Sequence, residues 1–318
     1  MGLDMLQNES NITVAVYMIC YNHEDYIEQA IESIMVQKTN FQYKLFIGED
    51  CSTDKTRTIC ISLKKKHPNK IELLLQDKNI GPSKNAQKTY DLCFRSNAKY
   101  IAMCEGDDYW TDPHKLQKQV DFLEANPDFN ISFHNASIWE NSEILPQKIY
   151  PNNRKEIISF VDLMKGDYTK TCCSVFRNNL DLSKKPLNII QDTTLFLSCL
   201  ENGAKAHYMD EDMAVYRKHD GGIYSLIGRK KQHLIAYDIQ LFLLNYYEPR
   251  KEVIYVKYQL KYLCVNLSAA FLKEGDLKQF LFWLRRSFNY PFPNTLKLYY
   301  NTIRILFINK NLFKLNTK

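Results

Sequence analysis

KYIAMCEGDDYWTD, residues 99–112, decides how the chain is read. Tyr100, Ile101, Ala102, Met103 and Cys104 form a short apolar run of the kind a fully buried strand makes. Three acids follow within four residues: Glu105, Asp107 and Asp108. Asp112 and Pro113 then supply an N-cap aspartate and an N1 proline, and residues 114–125 read as a helix. The carboxylates therefore stand where a buried strand ends, which is where open α/β sheets bind ligands. Crowded carboxylates repel one another unless a cation joins them, and hard oxygen ligands suit Mg²⁺ or Mn²⁺. An acidic turn that only caps a helix and faces water would use the same residue types.

Working outward from this strand, the pattern repeats. Residues 12–20 (ITVAVYMIC) are apolar and β-branched and read as a first buried strand, ending at Tyr21-Asn22. A helix over 24–37 follows, with Ile27, Ala30, Ile31 and Ile34 on one face. Residues 43–47 make a second strand that runs into Gly48-Glu49-Asp50-Cys51-Ser52-Thr53-Asp54, another acidic turn, where Ser52, Thr53 or Asp54 can cap the next helix. A third strand at 71–75 and a helix at about 84–95 complete the alternation, which predicts an open, largely parallel α/β sheet over the first 125 residues. Asp50, Asp107 and Asp108 then share one sheet edge with Tyr21. An aromatic ring beside a carboxylate suits a nucleobase, and a cation one strand away would hold phosphates. Neither GxGxxG nor GxxxxGK[ST] occurs, which argues against a dinucleotide-binding dehydrogenase and a P-loop enzyme.

Beyond 125, residues 129–139 read as a fifth strand, 140–155 as a loop interrupted by Pro146 and Pro151, and 160–165 as a short helix that Ser159 can cap. Residues 171–176 read as a strand, 191–200 as a helix stopped by Asn202-Gly203, and 206–216 as a strand interrupted at Asp210 to Asp212. Helices are expected near 230–247, 252–273, 276–289 and 295–308.

The chain has 318 residues, room for one large domain or one domain plus an appendage. Its nine cysteines show no zinc spacing and several lie in apolar runs, which suggests buried reduced thiols. The first twelve residues lack the pattern of a signal peptide, and no apolar run approaches the roughly 20 residues of a membrane span. A cytoplasmic protein is expected. Charge is uneven: residues 251–318 carry twelve Lys/Arg against three acids, so the rest of the chain is net acidic within a total of +6. A basic tail points to an anionic partner.

Five segments in order, YNHEDYIEQAIESIMVQ (21–37), IGEDCSTDKT (47–56), NIGPSKN (79–85), EGDDYWTDPHKLQKQV (105–120) and YRKHDGG (216–222), resemble the bacterial family 2 glycosyltransferases of the GT-A fold. The resemblance implies a GT-A catalytic domain over 1–225, with a nucleotide-binding half at about 10–125 and an acceptor-side half at about 126–225. A helical extension would occupy 226–318. It also implies that Tyr21, Asn22, Glu24, Asp50, Lys84, Asp107 and Arg217 meet the nucleotide, and that Asp107, Asp108 and His219 hold Mn²⁺ or Mg²⁺. The family's Asp-x-Asp corresponds to Glu105-Gly106-Asp107, with Glu in first place here, so the last acids are the better metal candidates. Asp192 matches the general base, in a reaction that transfers a sugar with inversion from a nucleotide-diphosphate donor to a glycan or lipid-linked acceptor in bacterial surface polysaccharide assembly. Asp192 could instead cap its helix, and Asp210, Glu211 and Asp212 are rival acids. The other readings are a catalytically silent sugar-nucleotide-binding scaffold of this fold and a metal-dependent nucleotidyltransferase. The basic, aromatic tail suits the interface of an anionic membrane at the inner face of the plasma membrane, or a structural helical cap. No nucleic-acid recognition motif accompanies it.

Overall fold

The computed structural model describes residues 12–151, 153–166, 169–180, 192–219, 222, 228–290 and 299. These fall into two compact units divided after Gly222, with residues 164–166 belonging to the second.

The first unit is built on one sheet. Its opening strands are β1 (Val14–Cys20), β2 (Tyr43–Glu49), β3 (Ile71–Leu75) and β4 (Tyr100–Met103). They stand in the order β3-β2-β1-β4 and are all parallel. Beyond β4 the sheet continues through β9 (Ser174–Arg177), β6 (Phe129–Glu140), β10 (Lys205–Lys218) and β5 (Tyr109–Trp110). Here β9 runs antiparallel between β4 and β6, while β10 is parallel to β6. The central strands bury both faces: Val14, Val16, Met18, Leu45, Ile47, Ile101 and Met103 are fully enclosed. Each large aliphatic buried in this way contributes roughly 1.5–3 kcal/mol. Helices α1 (Ile27–Met35), α2 (Thr56–Lys66), α3 (Pro82–Arg95) and α4 (Lys115–Ala125) cover the sheet. In α1 the apolar stripe read from spacing, Ile27, Ala30, Ile31 and Ile34, is wholly buried.

Two glycines let backbones close up. A Cβ on Gly48 would lie 2.0 Å from Thr89 Oγ1 of α3, and one on Gly106 would lie 2.8 Å from Cys20 Cβ and 2.9 Å from Ile27 Cδ1. Only a residue without a side chain allows these approaches.

Several expectations are corrected, and short strands that were not expected appear. Residues 140–155 are not all loop: β7 (Glu143–Lys148) folds back antiparallel on β6. The turn is Asn141-Ser142, both at positive φ (52° and 67°), and Pro146 is tolerated because β7 is an edge strand. The acids at 210–212 do not interrupt a strand either. β10 runs through them with register shifts, and each finds a partner: Asp210 the Tyr208 hydroxyl, Glu211 the Lys118 ammonium and Asp212 the Ser137 hydroxyl. A bulge tolerates the extra residues without ending the pairing. Tyr109-Trp110 form β5, which pairs antiparallel with Val215 and Ala214 of β10. Two residues carry no periodicity, so this strand had no signal in the sequence. A two-residue strand β8 (Ile157–Ile158) also pairs with β10. Ser159 and Asp162 close a reciprocal cap on α5 (Phe160–Met164), the Ser159 hydroxyl donating at 2.6 Å to the Asp162 carboxylate. Residues 171–173 form a 3-10 turn before β9, and α6 (Asp192–Cys199) follows Gln191, which lies outside the described residues.

The second unit contains α7 (Arg229–Tyr247), α8 (Val253–Lys273) and α9 (Leu277–Ser287), with α8 packed on both neighbours. Leu243, Leu260, Leu263, Leu267, Phe280 and Trp283 make its core. Asp276 caps α9 by accepting from the Gln279 N–H at 2.9 Å. The helix expected at 295–308 lies outside the described residues. Among those described, no helix is long and apolar enough to cross a membrane.

Candidate active site

The loops after β1, β2 and β4 meet at the carboxyl edge of the sheet. The backbone stays paired past the ends of the strands: Gly106 donates to Ile19 O at 3.0 Å and Asp50 to Cys20 O at 3.1 Å. This continued pairing fixes where the side chains of both acidic turns begin.

At the β2 end, the buried Asp50 carboxylate accepts the backbone N–H groups of Ile80 (2.8 Å) and Gly81 (2.9 Å), one on each oxygen. It therefore fixes the loop ahead of α3, and each oxygen keeps a second lone pair. Tyr21 is 39 % exposed beside this region of the edge. Asn22 and Glu24, expected on the nucleotide, tie loops together. The Asn22 side-chain oxygen accepts from Thr53 N at 2.9 Å, Glu24 Oε2 accepts from Lys55 N at 3.0 Å, and Asp54 Oδ2 accepts from Glu24 N at 3.0 Å. Asn22 sits at φ 55°, a conformation asparagine tolerates better than most residues. None of the three predicted caps holds the N-cap position of α2, which is Lys55; Asp54, one residue earlier, accepts from Thr56 N at 2.9 Å. Lys84 lies exposed in the first turn of α3.

The second cluster is the acidic turn itself. Glu105, Asp107 and Asp108 each offer a carboxylate oxygen, all within 4.8 Å of one another. Asp108 is 1 % exposed; its Oδ1 accepts from Arg217 N at 2.8 Å, while Oδ2 is buried without a hydrogen-bond partner. The end of β10 clamps the turn. Arg217 Nη1 donates to Asp107 O at 2.7 Å, Nη2 bonds Gln29 Oε1, and the guanidinium lies over the rings of Tyr26 and Tyr109. Arg217 was expected to meet the nucleotide; in the structure its guanidinium holds the turn. His219 Nε2 lies 3.2 Å from Asp107 Oδ2, and its ring packs against Tyr26.

Electrostatics separate these acids. Burial, together with the charges of Cys172, Asp107 and Glu105, raises the Asp108 carboxyl well above its ordinary value. Burial works the same way on Asp107, but the His219 hydrogen bond and the charges of both imidazoles, His23 and His219, outweigh it and hold Asp107 low. Burial and the charges of Asp192 and Asp107 push Glu105 up to about 8, against the Thr171 hydroxyl that donates to its Oε2 at 3.1 Å. Asp192, the first residue of α6, is raised by burial to about 6, with Lys170 pulling in the other direction. Asp192 is thus close enough to Glu105 for their charges to interact. Three crowded carboxylates, of which Glu105 and Asp108 resist ionisation and Asp108 keeps an orphaned buried oxygen, fit a divalent cation with a preference for oxygen.

The sequence reading missed His23, whose Nε2 lies 4.0 Å from Asp107 Oδ2, and Thr171 and Lys170 beside Glu105 and Asp192. Position just past the end of β1 was the only available signal for His23. Thr171 and Lys170 are far away in sequence and carried none.

A strand order with one reversed strand between two parallel blocks, and acids at the carboxyl edge, define the GT-A type of nucleotide-sugar transferase fold, here with C-terminal helices. The signature of glycosyl transferase family 2 matches residues 15–182, just over half of the chain, and the protein belongs to that family. An uncharacterized protein of Mycobacterium tuberculosis is 30% identical over 211 residues, which cover 66% of this chain and 60% of that one. The chain thus spans only part of the length of these curated relatives. A putative teichuronic acid biosynthesis glycosyltransferase, TuaG of Bacillus subtilis, is 28% identical over 216 residues, 67% of this chain and 81% of that one. Among solved structures, S. aureus TarS in complex with UDP superposes with a TM-score of 0.58 at 14% identity, covering 95% of this chain and 90% of that one. The mannosyltransferase PcManGT of Pyrobaculum calidifontis, in complex with GDP-Man and Mn²⁺, gives 0.56 at 14% identity, covering 96% and 92%. These two likenesses concern the fold.

Proposed function

We propose that the protein is a metal-dependent, inverting glycosyltransferase that moves a sugar from a nucleotide-diphosphate donor to a hydroxyl of a glycan or lipid-linked acceptor. The observation that carries this reading is the acidic turn after β4: three carboxylates within 4.8 Å, a buried oxygen without a partner, and an imidazole 3.2 Å from Asp107. The UDP and GDP-Man bound in the two similar folds support the donor class, and the Bacillus relative supports bacterial surface polysaccharide as the setting.

In this mechanism Tyr21 stacks on the nucleobase and the oriented Asp50 carboxylate accepts its N–H, with Lys84 near the phosphates. Asp107, Asp108 and His219 would hold Mn²⁺ or Mg²⁺, which supplies charge neutralisation to the departing diphosphate. Arg217 keeps Asp107 and Asp108 in place. Asp192 takes the proton of the acceptor hydroxyl as that oxygen bonds to the anomeric carbon, and the bond from that carbon to the diphosphate oxygen breaks on the opposite face. With its carboxyl raised to about 6, Asp192 is ionised at neutral pH yet more basic than an ordinary aspartate. The exposed face of α9, where Lys278 and Arg285 accompany Leu281 and Phe282, with Phe288 just past its end, supports peripheral docking on an anionic lipid surface, where a lipid-linked acceptor would lie.

The test is calorimetric titration with UDP, GDP, CDP and dTDP, each with Mn²⁺ and again with EDTA. One nucleotide should bind with Mn²⁺ and lose that binding with EDTA. Asp107→Asn or Asp108→Asn should weaken it by at least about tenfold; unchanged affinity in either variant refutes the metal assignment for that residue.

A further inference from the structure

We infer that His23 supplies a second imidazole nitrogen to the cation held by the acidic turn and thereby biases the site toward Mn²⁺ over Mg²⁺. This rests on the metal-dependent reading above.

The position of His23 is built rather than incidental. Its N–H donates to Thr56 Oγ1 at 2.7 Å, and its carbonyl accepts from Tyr26 N and Ile27 N, both at 2.9 Å, at the start of α1. The Gly106 backbone lies against the ring, since a Cβ there would stand 3.1 Å from His23 Nδ1. Nδ1 is buried on that side with no partner, so Nε2 is the nitrogen left to meet a ligand. Nε2 points to the same oxygen as His219: it lies 4.0 Å from Asp107 Oδ2, where His219 Nε2 lies at 3.2 Å. The two rings meet edge to face with centroids 6.1 Å apart.

A separation of 4.0 Å is too long for a hydrogen bond. It is a natural separation for two ligands of one ion. Two ligands of one such cation stand no further apart than about twice the metal–donor distance, and both imidazole-to-Asp107 distances lie within that span. The donor set would then be carboxylate oxygens plus two imidazoles. Mg²⁺ prefers oxygen and retains its water, whereas imidazole binds more favourably to the later divalent ions, so a second ring shifts the balance toward Mn²⁺.

The experiment is electron paramagnetic resonance of Mn²⁺ added to the full chain, alone and with UDP or GDP, followed by displacement with Mg²⁺. The wild type should quench the free Mn²⁺ signal and show nitrogen couplings from two imidazoles. His23→Gln and His23→Asn should lower Mn²⁺ affinity about tenfold, leave Mg²⁺ affinity within about twofold, and show one imidazole. Circular dichroism and thermal melting of both variants show whether they are folded. Folded variants with wild-type Mn²⁺ affinity and unchanged nitrogen couplings overturn the role of His23 and leave the metal site standing. A wild type that binds no Mn²⁺ under any of these conditions overturns both.

Discussion

Asp192 and Glu105 interact through charge, yet their surroundings give them different titration ranges. Burial lifts both and Lys170 pulls both down, but the charges of Asp192 and Asp107 push Glu105 on to about 8 while Asp192 stops at about 6. A base must be deprotonated to work, so activity should be full well above pH 6, about half near that value and lost as pH falls below it. An acidic limb of kcat/KM near pH 6 that disappears in Asp192→Asn would match. The variant should retain donor binding by calorimetry and lose transfer by about 10²–10⁴-fold; near-native transfer would remove Asp192 from the role of base. The acids of this site were legible because each stands at a strand end or a helix start, a position that local sequence encodes. The work of Arg217 was not. Its residue type suggests phosphate, but its guanidinium is enclosed by Gln29, Tyr26, Tyr109 and the Asp107 carbonyl, partners drawn from two distant segments.

Among the elements, the turn after β4 depends on backbones packed without side chains between them. Gly106→Ala would drive a Cβ into Cys20 and Ile27, and Gly48→Ala would drive one into Thr89 of α3. Each should lower stability by roughly 1–3 kcal/mol, read from the urea midpoint. Their functional effects should separate. Gly106→Ala displaces the acidic turn and weakens Mn²⁺-dependent nucleotide binding, whereas Gly48→Ala lies beneath the β2 turn and should largely spare metal affinity measured without nucleotide. Equal losses of metal affinity would show a general loosening of the sheet edge instead. Strand alternation made β1 to β4 readable, as each has a continuous apolar run. β5 and β7 were not readable, because one has two residues and the other is an exposed edge strand containing Pro146. Yet β5 is the element that brings β10, and with it Arg217 and His219, to the acids.

At the scale of the whole chain, the helical unit carries an exposed apolar stripe outside its core, where Phe288 stacks on Tyr299. On α9, Phe280 and Trp283 are buried, while Leu281 and Phe282, and Phe288 just past its end, are 59 %, 48 % and 65 % exposed, and no acid occurs within the helix. Leu281→Glu with Phe288→Glu should reduce co-sedimentation with vesicles containing anionic lipid by several-fold, and leave nucleotide binding and sedimentation with neutral vesicles unchanged. Undiminished co-sedimentation would leave this face with a structural part only, and loss of a self-associated species in the variant would identify a second copy as its partner.

The sequence by itself determined the α/β class, the acidic strand ends and the run of terminal helices. Alternating apolar runs, caps and turn residues act over ten or so neighbours, and no partner from elsewhere is needed to read them. Tertiary structure alone decided which acids share a site. It also decided that Asn22 and Glu24 brace loops, that Arg217 supports the turn, and that His23 faces Asp107. Those outcomes depend on the register of β10 against β5 and β6 and on glycine-permitted contacts between segments about 30 to 190 residues apart, as Gln29 with Arg217 and Asn22 with Thr53 illustrate. No local pattern encodes the distance at which such segments come to rest.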